Sequence, residues 1–161
     1  FAVVASQIAY GWTSSVNNFV VPNTPFNQEY RRHQEFLSGL RTDEELLVAI
    51  WCMTVLVPLR HPHKDRKWTT VFYENLVRSP ETELDRVFES WGLRQPTAIL
   101  NDVRKSSRTS RPGSAATVSA GGQLSKWKRT LSKQTVRSLC KVLDYFEVVE
   151  YGDDLFPRPP R

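Results

Sequence analysis

Cysteine, methionine and glycine are scarce in this chain: its 161 residues hold two cysteines, one methionine and seven glycines. Two cysteines cannot build a disulfide framework. Cys52 and Cys140 each fall in an apolar helical pattern and read as buried free thiols. The few glycines form no Gly-rich turn able to wrap a phosphate with backbone amides. No apolar run reaches the roughly 18 residues of a membrane span. The longest, Leu46 to Leu59, is interrupted by Thr54 and Pro58. No Asn-x-Ser/Thr sequon occurs, which argues against a glycosylated luminal protein. The pair in His61-Pro62-His63 has no cysteine or acid at ligand spacing, so no metal is assigned. No Ser-His-Asp or Cys-His arrangement stands out.

What remains has the balance of one folded domain, with 40% hydrophobic and 24% charged residues. The net charge of +5 suits an anionic ligand such as a nucleotide, a nucleic acid or a sulfated glycan, or it is simply a basic surface. Phe1, Val4, Ala5, Ile8 and Trp12 fall on one helical face, so the chain opens within a helix and reads as a piece of a longer protein. Residues 13 to 27 read as a loop. A helix is predicted over Gln28 to Leu40. Thr42 and Glu45 then form a capping box for a second helix, apolar nearly all round and therefore deeply buried, which Pro58 ends. Arg60 to Lys67 is a basic loop.

Trp68 to Tyr73 is dense in β-branched and aromatic residues and is predicted to be a buried strand. After it, Ser79 can cap a helix and Pro80 fits its first position. Leu84, Val87, Phe88 and Trp91 make its apolar face, and Gly92 stops it. Pro96 can start a short helix. Residues 104 to 126 form a long basic loop, Ser132 caps a last helix, and 152–161 is an extended surface tail. The pattern predicts an α/β parent fold of which this chain holds the mostly helical part, with one or two strands.

The stretch Val71-Phe72-Tyr73-Glu74-Asn75-Leu76-Val77, then Pro80-Glu81, then Leu84 through Phe88 to Gly92-Leu93, resembles the central segment of PAPS-dependent sulfotransferases. PAPS is the activated sulfate donor 3′-phosphoadenosine-5′-phosphosulfate. Two further segments fit in order. Phe1 to Gln7 resembles the segment after that family's Arg-x-Pro, with Ser6 at the position of a serine that holds the donor's 3′-phosphate. Trp127-Lys128 resembles the Trp-basic pair after the loop that closes over the donor. The resemblance covers residues 1 to 12, 67 to 93 and roughly 104 to 146.

The resemblance implies a P-loop-like parallel sheet with flanking helices, and transfer of a sulfuryl group from PAPS to a hydroxyl or amine acceptor, a small molecule or glycan. PAP would be the product, and no metal would take part. It implies donor contacts from Ser6, from Tyr73 at the strand's end and from Gly122. Ala120 and Gly121 replace the basic residues that precede this glycine in the cytosolic subgroup. Arg104, Ser107 and Arg108 are phosphate candidates by chemistry more than by motif. The plain alternatives stay open: a core aromatic for Tyr73, a small helix-face residue for Ser6, and a solvated basic loop for 104–126. The family's phosphosulfate loop and catalytic base lie upstream of the matching region. No residue here is assigned as catalytic. The other function classes are a kinase-like P-loop transferase and a non-enzymatic nucleic-acid-binding module using residues 104 to 129. The latter lacks interleaved aromatics.

Overall fold

A computed structural model describes residues 1–12, 15–61, 68–100, 122 and 124–158. Among them the chain is mostly helical and forms no strand. The elements are α1 (Ala2–Ala9), α2 (Gln28–Arg31), α3 (Gln34–Ser38), α4 (Asp43–Arg60), α5 (Tyr73–Arg78), α6 (Pro80–Ser90), α7 (Trp127–Thr130) and α8 (Lys133–Tyr145). Single 3-10 turns at Val16–Asn18 and Pro25–Asn27 lead into α2.

The core is built on α4. Its capping box forms as the sequence predicts: the Glu45 amide donates to the Thr42 hydroxyl, and the Glu45 carboxylate accepts from the Thr42 amide. Asp43, Glu44 and Glu45 crowd the positive end of the helix dipole. Leu46, Ala49 and Cys52 are wholly buried, and α8 and α1 pack against them. Burial pushes the Cys52 thiol up to about 12, so it stays protonated, and it also raises the half-buried Cys140.

Pro58 lies inside α4 rather than ending it. A proline in the last turn removes one helical N–H, and the chain keeps two more helical residues. Arg60 then fastens that end, its guanidinium donating to the Phe146 carbonyl at 2.6 Å.

The helix predicted over 28–40 is broken at Arg32–His33 into α2 and α3. The break lets Gln34 hold the preceding loop, accepting from the Val21 amide at 2.8 Å and donating to the Phe19 carbonyl at 3.3 Å. It also brings His33 and Phe36 against Tyr145 and Phe146 at the end of α8. Ser132 caps α8 through the Thr135 amide.

The strand expected at Trp68–Tyr73 is not formed. Residues 68–72 are irregular, and Tyr73 opens α5. β-Branched and aromatic residues favour a strand only where a neighbour completes the ladder. Here side chains of α6 take up the segment instead: Arg86 donates to the Thr70 carbonyl at 2.7 Å and Ser90 bonds Thr69. Arg86 also clamps the buried Glu83, whose carboxylate raises the guanidinium pKa further. Pro80 starts α6 as predicted, although Ser79 makes no side-chain cap bond.

Three helices end in the same 6→1 and 5→2 bonded motif with a left-handed residue. Gly11 (φ 71°) and Gly92 (φ 66°) suit it, while Glu147 (φ 54°) takes the same role after α8. There the Val148 amide donates to the Leu143 carbonyl at 2.9 Å.

Candidate functional site

The first end of α1 is where the three sequence segments singled out above come together. The Phe1 ring meets Trp127 edge-on at 5.4 Å, and α1 packs on α7. Trp127 is buried because Leu124 and Leu131 on either side of it are buried too, which turns the α7 segment inward. Lys128 lies over the Trp127 ring at 5.3 Å. Glu74, in the first turn of α5, lies near enough to the start of α1 for its charge to be felt there.

Glu74 is itself held. Tyr151, after α8, donates its hydroxyl to the Glu74 carboxylate at 3.2 Å. Burial and then the Glu74 charge push the Tyr151 phenol well above its ordinary value, so it remains a donor at all working pH. Tyr151 also packs edge-on to Trp51 of α4 at 5.2 Å and against Phe72 at 6.1 Å. Five residues further on, Phe156 lies under the Arg78 guanidinium at 4.6 Å. The chain after α8 therefore straps α5 to α4. It then turns back, with the Arg158 amide donating to the Glu150 carbonyl at 2.7 Å. A side chain at Gly152 would run into the Arg158 guanidinium, 2.8 Å from the position of its Cβ.

The predicted site residues fall in different settings. Ser6 is exposed on α1, one turn in from the helix start, on the side away from buried Val4 and Ala5. Tyr73 is also exposed, at the first position of α5 rather than at a strand's end. Gly122 is half-buried, and its carbonyl accepts from the Ser125 hydroxyl at 3.3 Å. Arg104, Ser107 and Arg108 lie outside the described residues, as does His63. Among the described residues no group of three or more potential ligands could hold a metal, and no helix is long and apolar enough to cross a membrane.

Sequence reasoning missed Tyr151. It lies one residue before the 152–161 stretch read as a surface tail, and nothing local marks an aromatic that reaches back 77 positions to a carboxylate. Sequence reasoning also gave no hint of two buried polar atoms without a hydrogen-bond partner among the described residues, Gln7 Oε1 beside Ser6 and Trp68 Nε1. Unpaired buried polar atoms of this kind destabilise a fold and mark sites that a further group can complete. A shallow groove lined by Arg32, Glu35, Phe36, Leu40 and Tyr145 lies elsewhere, between α3 and α8, and contains none of the predicted residues.

Chemically, the α1 corner offers a hydroxyl, a phenol, the Lys128 ammonium and an unpaired buried carbonyl oxygen beside a fixed carboxylate. Comparison of the chain with family models, with curated proteins and with solved structures finds no match.

Proposed function

We propose that this chain is part of a PAPS-dependent sulfotransferase domain and forms the 3′-phosphate and adenosine side of the donor site. One observation carries the reading. Residues 1–9 and 127–128, far apart in sequence and each within a segment resembling that family, pack together at the start of α1, and Glu74 of the third such segment lies close enough for its charge to act there. In this reading Ser6 donates its hydroxyl to the donor's 3′-phosphate. Lys128 adds charge, and Tyr73 lies against the nucleotide.

The fit is partial. Glu74 places negative charge at the helix end a phosphate would favour, so the neutralising cations must come from Arg104 and Arg108. The reaction is an in-line displacement: the acceptor oxygen or nitrogen bonds to sulfur, the sulfur–oxygen bond to the phosphate of PAPS breaks, and PAP leaves. Its demands are positioning and charge neutralisation. The parallel sheet and the acceptor's base belong to the parent fold upstream of Phe1.

The test is calorimetric titration of the full-length protein with 3′,5′-ADP. Ser6→Ala is expected to weaken binding by about 1.5–3 kcal/mol, the worth of a hydrogen bond to a charged group. An unchanged affinity, or no binding by the wild type, would remove the donor site from this corner.

A further inference from the structure

Two exposed helix faces carry charge stripes of opposite sign and identical spacing. On α8, Lys133, Arg137 and Lys141 recur every four residues, opposite the buried Leu139, Val142 and Leu143. On α6, Glu81, Asp85 and Glu89 recur in the same way, away from the buried Leu84 and Val87. Each stripe steps about 6 Å per charge and spans about 12 Å. We infer that these two stripes are complementary halves of a self-association surface, the acidic stripe of one copy docking on the basic stripe of a second.

Three observations carry this. First, like charges four apart repel along a helix, so each stripe weakens its own helix unless something opposite covers it. Second, the side chains of Lys133, Arg137, Lys141, Asp85 and Glu89 make no ion pair or hydrogen bond among the described residues. Third, α8 has no acid in its first turn, whereas α4 and α6 do. Lys133 sits there against the positive end of the dipole, and a carboxylate from the acidic stripe of a second copy would relieve it.

A parallel alignment sets Glu81 by Lys133, Asp85 by Arg137 and Glu89 by Lys141, and an antiparallel one sets Glu89 by Lys133, Asp85 by Arg137 and Glu81 by Lys141, so opposite charges meet in either direction. The first carboxylate on the basic side, Asp144, falls beyond the stripe. Two such contacts related by a two-fold axis close a dimer; a single one propagates head to tail.

Sedimentation of the full-length protein tests the inference at low salt and at about 1 M salt, where charges are screened beyond roughly 3 Å. The wild type is expected to associate at low salt and to be monomeric at high salt. Exposed ion pairs are individually weak. Reversal of three, K133E/R137E/K141E or E81K/D85K/E89K, is therefore expected to weaken association at least about tenfold. Mixing the two reversed proteins restores every opposite-sign contact and is expected to restore association. Circular dichroism checks that each variant is folded. A wild type that stays monomeric at low salt, reversals without effect, or a mixture that fails to associate would each overturn the inference. So would association unchanged at high salt.

Discussion

The core around α4 and the unit formed by α5 and α6 both carry apolar residues at helical spacing, yet they bury them to different extents. In the core, Leu46, Ala49, Cys52 and Leu139 are entirely shielded, within one contiguous cluster drawn from α1, α3, α4, α7 and α8. In the α5–α6 unit the only apolar residues buried are Leu84 and Val87, outside that cluster, while Tyr73, and Trp91 and Leu93 just after α6, face solvent. Helices α5 and α6 contact one another more than anything else, and the strap at Tyr151 and Phe156 joins them to α4. The difference shows what an apolar pattern specifies. It fixes which face of a helix seeks cover, and it leaves open whether cover is present.

The largest contrast is expected from truncating one leucine in each region. Leu46→Ala removes side-chain volume from a fully enclosed position and is expected to cost about 3 kcal/mol, near the middle of the range for such changes. Leu84→Ala, 8% exposed in a smaller cluster, is expected to cost about 1–2 kcal/mol, because a less enclosed site collapses more readily. Urea unfolding of both variants checks this. Equal losses would mean that the two regions share one cooperative core.

Next is the strap. Tyr151→Phe deletes the hydroxyl that Glu74 accepts from and keeps the ring contacts with Trp51 and Phe72. A loss of about 1 kcal/mol is expected, allowing for solvent near a partly exposed pair. Amide exchange should quicken over Tyr73–Arg78 and stay unchanged in α4. Uniform quickening would show that the strap holds the whole molecule rather than one unit.

Much of the core was legible beforehand, and the reasons are local. The α4 capping box, the Ser132 cap, the Pro80 start and the Gly92 stop each depend on residues within four positions of one another. Where the reading failed, distant residues decided. The strand at Trp68–Tyr73 needed a partner strand, and among the described residues α6 side chains took its place. The break at His33 follows from what Gln34, Phe36 and His33 reach in the loop before α2 and at the end of α8. Of the predicted site, Ser6 and Tyr73 are exposed on α1 and α5. Tyr151, which fixes Glu74, had no signal at all.

Glu147 also escaped sequence reading, since nothing about a glutamate announces a left-handed cap. That conformation strains a side chain by about 1–2 kcal/mol. Glu147→Gly is expected to stabilise by roughly 0.5–1 kcal/mol once the extra freedom of glycine in the unfolded chain is set against it. The exposed 3.5 Å contact with Arg60 adds little. Thermal unfolding checks this, and a lower melting temperature would show that the Arg60 contact outweighs the strain.

The smallest expected effect is one of pH, and it belongs to the core side alone. His33 Nε2 faces the Arg32 Nε–H at 3.2 Å, and Nδ1 faces the Tyr145 hydroxyl at 3.1 Å. A guanidinium only donates, so Nε2 must accept, and the neutral ring carries its proton on Nδ1, which donates to Tyr145. Protonating Nε2 would set N–H against N–H beside a fixed cation. Burial lowers the His33 pKa and Arg32 lowers it further, against a smaller opposing pull from Glu29, which is paired with Arg32. A histidine pKa below its unfolded value of about 6.5 means that the unfolded chain binds more protons between the two values. Stability is therefore full above the unfolded pKa. It declines as pH falls through that value and levels off below the folded one. His33→Gln removes this dependence while His61 and His63 stay in place, so the two proteins should differ in slope as pH falls through and below about 6.5. Acid should quicken amide exchange in α3 and at the end of α8 and leave α5 and α6 as they were. Identical slopes in the two proteins would mean that the ring is already free to turn and that Arg32 does not hold its tautomer.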